Sequence, residues 1–315
     1  ASGAELPFDR LLTATGAKPR PLAVPNGSAP GVRTFRTLDD ADALRSALAE
    51  GGRRVVFIGS GWIGLELAAA ARGYGNEVTI VSQDRIPLAT ALGDEMGAMF
   101  QELHEQHGAK FLLERDVTGI EVGDDGSATG VQTSLETVPA DLVIVGIGAV
   151  PDTELAETAG LEIDRGILVD ERLATSSPDI FAAGDVANAF HPVLGARLRS
   201  EHWANAIASG KVAASSMLGG DAVLDEIPYF YTDQYDLGME YSGYGPLADG
   251  TEVVIRGDRS ARELIAFWVR DGRVVAGMNV NIWDVNEEVQ RLIRDRVVVD
   301  RERLADPSVE LASIA

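Results

Sequence analysis

The sequence contains no cysteine, which excludes disulfides, iron–sulfur ligation and zinc-thiolate sites within the chain. Histidine is also scarce. The four histidines show no metal-ligand spacing, and His104 and His107 are predicted to form a solvated pair on a polar helix face. No apolar run approaches the roughly 20 residues that a membrane-spanning helix needs. The sequence therefore predicts neither a metal site nor a membrane span.

Positive charge is the second shortage. Lys and Arg together number 27 against 49 Asp and Glu, which gives a formal net charge of −22. Nucleic acids and anionic membrane surfaces are poor partners for such a chain, because phosphate groups need basic residues to neutralise them. Neither a basic segment nor a hydrophobic segment typical of a signal peptide follows the first residues, so a cytoplasmic location is expected.

The length and the order of hydrophobic patterns predict several domains of mixed α/β structure. At 315 residues, the chain is long enough for two or three domains. A buried strand at 55–58, a glycine-rich turn, an Ala/Leu-rich helix to about residue 72 and a strand at 77–81 form the pattern of a βαβ unit. A helix is predicted next, from about Gly93 to His107. After Pro228, aromatic strands are predicted at 229–231, 252–256, 264–269 and 273–280. They precede a final helix predicted near 285–295, which is typical of a small α+β domain.

The most informative motif is the hexapeptide GSGWIG between that first strand and that helix. Gly59 permits the tight turn, Gly61 lets a pyrophosphate approach the backbone, and Gly64 lets helix and strand pack closely. The helix N-terminus, at Trp62 and Ile63, offers free N–H groups and a positive dipole end to phosphates. This context predicts a dinucleotide site and not a purely structural glycine turn.

The end of the second strand bears on the choice of nucleotide. An acid there bonds the adenosine ribose and selects NAD, whereas this sequence has Ser82, Gln83, Asp84 and Arg85. Ser82 can bond either a hydroxyl or a 2′-phosphate, and Arg85 can pair with a phosphate. NADPH is therefore not excluded, although the nearby Asp84 and the lack of an arginine cluster favour NADH.

Two acidic residues each admit two interpretations. Glu66, expected in the first turn of the helix after the glycines, is either a solvent-facing helix acid or a group that bonds the nicotinamide carboxamide. Asp185 follows the strand pattern Ile180-Phe181 and is either a cofactor ligand or a helix N-cap. The two interpretations of Asp185 are compatible with each other.

Six segments together carry a resemblance to a known family: FDRLLTATG, VVFIGSGWIGLELA, DLVIVGIGAVPDTELA, IFAAGDVA, EHWANAIASG and YFYTDQYDLG. Their order and spacing resemble those of the ferredoxin and rubredoxin reductases. These flavoproteins are related to the reductase components of aromatic-ring dioxygenases and cytochrome P450 systems, and to apoptosis-inducing factor. The resemblance spans essentially all 315 residues, and the pair AAGDVA and TDQYD is its most specific part.

The resemblance implies an α/β, two-dinucleotide-binding-domain flavoprotein reductase fold. A Rossmann-like NAD domain is inserted in the FAD domain, and a small α+β domain follows. The implied units are an FAD-domain remnant at 1–35, an NAD(P)H-binding domain at 36–150, the second part of the FAD domain at 151–226 and a C-terminal reductase domain at 227–315. The family begins with a further βαβ unit for the ADP half of FAD, so the chain is expected to be N-terminally truncated.

The resemblance also implies FAD and NADH as cofactors and assigns roles to particular residues. Glu66 and Trp203 are the implied catalytic residues: Glu66 orients the nicotinamide, and Trp203 lies close to the isoalloxazine. Asp185 is implied to accept hydrogen bonds from the ribityl hydroxyls of the flavin. Outside the 59–64 turn and the end of the second strand, the implied cofactor-binding residues are Thr15, Gly16, Gly146, Ile147, Gly148, Gly184, Asp185, His202 and Trp203.

The implied function is an NAD(P)H-dependent flavoprotein reductase that passes electrons through FAD to a ferredoxin or rubredoxin-type carrier serving an oxygenase or a cytochrome P450. Ferredoxins are generally acidic, so docking one requires local basic residues. Two alternatives stay open: a disulfide reductase or NADH oxidase with an upstream cysteine, and a non-enzymatic NAD-binding module resembling apoptosis-inducing factor. A homodimer is a further option. The candidate docking residues are Arg197, Arg199, Arg291, Arg294 and Arg296, and the alternative for the last three is a solvated helix face.

Overall fold

The structure is a computed structural model that describes residues 3–314. Up to residue 151, the chain builds a parallel sheet with helices on one face. In chain order, the elements are β1 (Leu11–Thr13), β2 (Ala17–Pro19), β3 (Val32–Arg33), α1 (Leu38–Leu48), β4 (Arg54–Ile58), α2 (Trp62–Gly73), β5 (Glu77–Val81), α3 (Ala89–Gln106), β6 (Lys110–Leu112), β7 (Val117–Val122), β8 (Ala128–Thr133), β9 (Thr137–Pro139), β10 (Leu142–Val145) and β11 (Ala149–Pro151). Five strands hydrogen-bond in the order β3-β10-β4-β5-β6, and every pair in this sheet is parallel.

Strand β4 is buried on both faces of this sheet. Successive side chains of a strand point to opposite faces. Val55 and Phe57 pack into a cluster with α2 and α3, whereas Val56 and Ile58 pack with the antiparallel sheet β7-β8-β9 on the other face. The continuous apolar run in the sequence follows from this double burial.

The next segment, from residue 154 to residue 217, provides the strand that pairs with β1. Its elements are α4 (Glu154–Thr158), β12 (Ile167–Val169), β13 (Ile180–Ala182), β14 (Ala187–His191), β15 (Ala196–Leu198) and α5 (Trp203–Met217). Strand β1 lies parallel to β13, with Leu11 opposite Ile180 and Thr13 opposite Ala182. Strands β2 and β11 pair with each other antiparallel. The five-stranded sheet is therefore inserted between β1 and β13, and the chain enters and leaves it through neighbouring strands.

The last segment forms an antiparallel sheet with helices. Its elements are β16 (Tyr229–Gln234), β17 (Leu237–Gly243), α6 (Gly245–Ala248), β18 (Glu252–Asp258), β19 (Glu263–Arg270), β20 (Arg273–Val280), α7 (Asn286–Asp295) and α8 (Arg301–Ala305). The strand order is β16-β17-β20-β19-β18. On β19, Phe267 faces the cluster containing α7, and Ala266 and Trp268 face the cluster containing α2 and α3. The C-terminal sheet thus packs directly on the helices of the inserted unit.

Several predicted elements differ from the structure. The helix expected from Gly93 begins earlier, at Ala89, and Gly93 interrupts it with a φ of 77°. The helix predicted to be final is followed by α8, so that prediction is wrong. Strand β17 has no counterpart in the predicted pattern. It is buried along nearly its whole length, so it lacks the alternation of buried and exposed positions that marks a half-buried strand.

The prediction of a solvated histidine pair is also wrong. His104 is fully buried, and its Nε2 lies 2.8 Å from Oε1 of Gln234. His107 is half-buried and stacks on the ring of Tyr235 at a centroid distance of 3.8 Å. This face of α3 is covered by the C-terminal sheet and not by water.

Within residues 3–314, no cluster of side chains could hold a metal ion, and no helix is long and apolar enough to cross a membrane.

Candidate functional site

The three glycines of the turn after β4 occupy different environments. Gly59 has a φ of +103°, and a Cβ added there would lie 2.4 Å from the carbonyl oxygen of Gly146. A Cβ added at Gly64 would lie 2.8 Å from the carbonyl oxygen of Gly59, whereas nothing lies within 4 Å of one at Gly61. The protein's own packing therefore requires Gly59 and Gly64, and Gly61 keeps the backbone open to a ligand.

Helix α2 begins directly at this turn without a side-chain cap. Gly61 is the N-cap, and no acidic residue lies in the first turn. The N–H groups of Trp62 and Ile63 have no intrahelical acceptor because of their position in the first turn. An uncapped N-terminus with its dipole unopposed by a carboxylate is suited to bind a phosphate.

The end of β5 presents an acid held by two hydroxyl groups. Ser82 is buried, and its Oγ donates a 2.9 Å hydrogen bond to Oδ2 of Asp84. The Oγ of Ser60, inside the glycine turn, lies 3.1 Å from the same oxygen. Arg85 forms an ion pair with Asp94. Ser82 is thus engaged in holding the loop, and the acid next to the nucleotide turn is Asp84.

The predicted cofactor-binding segment at 146–148 lies beside the glycine turn. Strand β10 is parallel to β4, so their carboxyl ends meet at one edge of the sheet. The N–H of Gly146 donates to the carbonyl oxygen of Ile58 at 2.8 Å. Ile147 and Gly148, whose φ is +95°, follow at once. The structure therefore brings the turns after both strands together.

Glu66 points toward the C-terminal sheet. The sequence predicts Glu66 in the first turn of α2. Because α2 begins at Trp62, Glu66 lies in the second turn instead. Its Oε1 accepts a 2.6 Å hydrogen bond from Oγ1 of Thr232 on β16. Burial raises the pKa of Glu66, the Thr232 hydroxyl opposes this shift, and the charge of Asp233 adds to it. The solvent-facing interpretation is therefore wrong, and the binding role of Glu66 stays a prediction.

The two predicted flavin motifs converge at the ends of β1 and β13. Thr15 and Gly16 follow β1, and Gly184 and Asp185 follow the parallel β13. The Asp185 side chain is largely buried, and its Oδ2 lies 2.8 Å from Nη2 of Arg36. A Cβ added at Gly16 would lie 3.2 Å from the same guanidinium. Arg36 thus connects the two motifs.

Neither Arg36 nor the conformation around Asp185 could be read from the sequence. Arg36 belongs to no motif and lies just before the capping residue Thr37, so no local pattern marks it. Asp185 lies inside the short turn Gly184–Val186, whose cap is Ala183, so its interpretation as a helix N-cap is wrong.

The start of α5 presents two aromatic rings. His202 is the N-cap residue of α5, and its imidazole stacks on Phe230 at a centroid distance of 4.1 Å. Burial lowers the pKa of His202. Trp203, the first helical residue, has 72 % of its surface exposed. A cavity of about 350 Å³ lies here, and its lining includes His202, Phe230 and, from the glycine turn, Trp62.

These features fit both cofactors. A nicotinamide dinucleotide fits the open backbone at Gly61, the uncapped helix end and the neighbouring Asp84. For the flavin, the chain provides a largely buried carboxylate at a strand end, Asp185, whose Oδ1 has no hydrogen-bond partner among the described residues. The exposed indole of Trp203 offers a flat apolar surface to an aromatic ring.

The arginines predicted to dock an acceptor are mostly engaged within the chain. Arg199, Arg291 and Arg294 each form an ion pair with a carboxylate. Arg197 donates to two backbone carbonyl oxygens. The guanidinium of Arg296 is exposed at the end of α7 and has no partner within residues 3–314. The docking role of this set stays a prediction.

Comparison with family models identifies two segments. Residues 1–210 match the model described as pyridine nucleotide-disulphide oxidoreductase. The chain belongs to this family. Residues 229–315 match the model described as reductase C-terminal. Ferredoxin–NAD(+) reductases of this oxidoreductase family use FAD and NADH, as the resemblance implied.

Members of this oxidoreductase family are similar along nearly the whole chain. The ferredoxin–NAD(+) reductase component of the anthranilate 1,2-dioxygenase system of Burkholderia cepacia is 39 % identical, covering 98 % of this chain and 75 % of that protein. Putidaredoxin reductase of Pseudomonas putida is 36 % identical, covering 100 % and 75 %. The crystal structure of the covalent putidaredoxin reductase–putidaredoxin complex matches with a TM-score of 0.93 at 34 % identity, over 99 % of this chain and 75 % of that chain. The predicted family and fold class are confirmed.

Proposed function

We propose that this protein is an NAD(P)H-dependent flavoprotein reductase that passes electrons through FAD to a ferredoxin or rubredoxin-type carrier serving an oxygenase or a cytochrome P450. The supporting observation is the cavity lined by both Trp62 and His202. Trp62 directly follows Gly61 of the nucleotide turn, and His202 directly precedes Trp203. One predicted residue of each cofactor set therefore borders this space, and hydride transfer requires such proximity.

The names of similar proteins support the same choice of acceptor. They include a ferredoxin–NAD(+) reductase component from Burkholderia cepacia and a rubredoxin–NAD(+) reductase from Ectopseudomonas oleovorans. We place the reaction in the cytoplasm because the proposed electron donor, NADH, is a cytoplasmic metabolite.

The chain's own residues bind and orient the reactants. FAD, when bound, supplies the chemistry that accepts a hydride and releases single electrons. The N–H groups of Trp62 and Ile63 would hold the pyrophosphate, and Glu66 would accept a hydrogen bond from the nicotinamide carboxamide. Asp185 would hold the ribityl hydroxyls, and Trp203 would offer its exposed indole to the isoalloxazine. No acid–base pair is needed for this reaction.

We further propose that NADH is the preferred donor. Asp84 carries a negative charge beside the glycine turn, where it bonds ribose hydroxyls and repels a 2′-phosphate. The hydroxyls of Ser60 and Ser82 keep this carboxylate in place. Arg85, the only cation of this loop, is paired with Asp94 and would have to leave that partner to bind a phosphate.

Anaerobic reduction of the intact flavoprotein tests the proposal. NADH is expected to bleach the visible flavin band, and cytochrome c reduction is expected only when a ferredoxin is added. Gly61→Ala is expected to weaken NADH binding about tenfold or more, because the new methyl group fills the space for the pyrophosphate. Gly73→Ala is the matched control, since it also adds a Cβ with no neighbour within 4 Å. A protein that neither NADH nor NADPH reduces would contradict the proposal.

Two controls separate the alternatives. A disulfide reductase or NADH oxidase requires a redox cysteine, so alkylation of all thiols in the intact protein would abolish its activity. Activity that survives alkylation supports the ferredoxin reductase. A protein that binds NADH but holds no flavin would favour the non-enzymatic module.

A further inference from the structure

A series of buried hydrogen bonds connects α3 to Glu66 through the C-terminal sheet. His104 Nε2 lies 2.8 Å from Gln234 Oε1, and Gln234 Nε2 lies 3.3 Å from Thr232 Oγ1. Thr232 Oγ1 in turn lies 2.6 Å from Glu66 Oε1, and the Tyr235 hydroxyl lies 3.3 Å from His104 Nδ1. His104, Thr232 and Gln234 are at most 3 % exposed. Water therefore does not compete for these bonds.

The donors in this series can be assigned from Glu66 backward. An ionised carboxylate only accepts, so the single hydroxyl proton of Thr232 points to Glu66. The Thr232 oxygen then accepts from the amide NH₂ of Gln234, which turns the Gln234 oxygen toward His104. His104 must consequently carry its proton on Nε2, and its Nδ1 accepts from the Tyr235 hydroxyl. One orientation of every group satisfies all the bonds.

We infer that His104 is a positioning residue for Glu66. Its Nε2–H tautomer directs the hydroxyl hydrogen bond of Thr232 to the Glu66 carboxylate. In the other tautomer, the Gln234 amide turns over to donate to Nε2 and presents its oxygen to Thr232. The Thr232 proton then has a second acceptor, and Glu66 loses the hydrogen bond that fixes its orientation. This inference rests on the proposed role of Glu66 in orienting the nicotinamide.

The surroundings of His104 keep the imidazole neutral, as this arrangement requires. Burial lowers the pKa of His104 to about 4, opposed by the bond to Gln234 and reinforced by the nearby His107. The His104 ring also contacts Phe111 and Tyr235 edge-on, at centroid distances of 6.1 and 5.1 Å. Neither ring provides a counter-ion for an imidazolium.

A role in packing alone predicts different behaviour. If His104 only filled space between α3 and the C-terminal sheet, its replacement would lower stability and would change the affinity for all nicotinamide nucleotides equally. A residue that acts through Glu66 affects only nucleotides whose carboxamide donates to that carboxylate. Reduced 3-acetylpyridine adenine dinucleotide has a methyl group in place of the carboxamide NH₂, so it cannot make this bond and separates the two roles.

The test compares His104→Phe, which keeps a ring but no nitrogen, with His104→Gln, which keeps an N–H donor. His107→Phe, at the residue that follows the same helix as its C-cap, is the matched control, because His107 makes no hydrogen bond within the series and a Phe ring keeps its stacking on Tyr235. In the intact flavoprotein, His104→Phe is expected to weaken NADH binding about tenfold, the usual effect of losing one hydrogen bond to a charged group. His104→Gln and His107→Phe are expected to bind within about twofold of the unmodified protein.

Three further measurements complete the test. His104→Phe is expected to have little effect on binding of the acetylpyridine analogue, and none on NADH binding once Glu66→Gln is present. Nitrogen NMR of the unmodified protein is expected to show the Nε2–H tautomer. Additive effects of the two substitutions, or an equal effect of His104→Phe on both nucleotides, would overturn the inference. An Nδ1–H tautomer in the unmodified protein would also overturn it, and that measurement does not require His104→Phe to fold. If Glu66→Gln alone leaves NADH affinity unchanged, the proposed role of Glu66 fails instead.

Discussion

Acidification is expected to destabilise the junction between α3 and the C-terminal sheet through His104. Burial lowers the pKa of His104 to about 4, against about 6.5 for an exposed histidine. Because the folded-state pKa is the lower one, the unfolded chain takes up the proton first. The stabilisation is complete above about pH 6.5 and is lost as the pH falls toward 4. At about 1.4 kcal/mol for each pKa unit, the full contribution is about 3 kcal/mol.

Thermal melting at a series of pH values measures this contribution. His191 and His202 also have pKa values lowered by burial, so they destabilise the protein in the same pH range. Comparison with His104→Gln removes their effect, because both proteins retain them. A loss of about 3 kcal/mol corresponds to roughly 5–10 °C in melting temperature, which the unmodified protein should lose relative to the variant. A difference between the two proteins that does not change with pH would refute the reasoning.

Three other substitutions have expected outcomes. Asp94→Ala frees Arg85 and should raise the ratio of kcat/KM for NADPH to that for NADH about tenfold; an unchanged ratio would show that Arg85 does not reach the nucleotide. Arg36→Ala leaves the buried Asp185 unpaired and should cost about 1–2 kcal/mol of stability and some bound flavin. Melting temperature and visible absorbance after gel filtration measure both effects, and unchanged values would contradict the expectation. Gly59→Ala should lower the yield of folded protein because of its positive φ and the nearby backbone oxygen; a variant with unaltered melting would count against this packing.

The strand, glycine turn and helix of the proposed nucleotide site were predictable from the sequence because their signals are local. A buried strand, three spaced glycines and a helix fall within about twenty residues, and each glycine performs its task through its own backbone. The structure separates these tasks: Gly59 and Gly64 are confined by backbone atoms, and Gly61 faces open space.

The remaining parts of the site depend on contacts between distant segments. His104 is buried by Gln234 and Tyr235, about 130 residues later in the chain, so the polar sequence around it wrongly predicts a wet helix face. Arg36 meets Asp185 across a sequence separation of 149 residues. No periodicity or motif records such pairs, because each partner's neighbours in the sequence are unremarkable.

The pairing of β2 with β11 brings the two ends of the inserted unit together. Lys18 lies opposite Val150 at these ends. The inserted unit is therefore joined covalently to the rest of the chain at two neighbouring positions. Under the proposed function, a chimera that receives residues 20–148 from an NADPH-specific homologue is expected to use NADPH in place of NADH. Such a graft would also have to bring an α3 that matches the resident C-terminal sheet, since that surface is shared between donor and host.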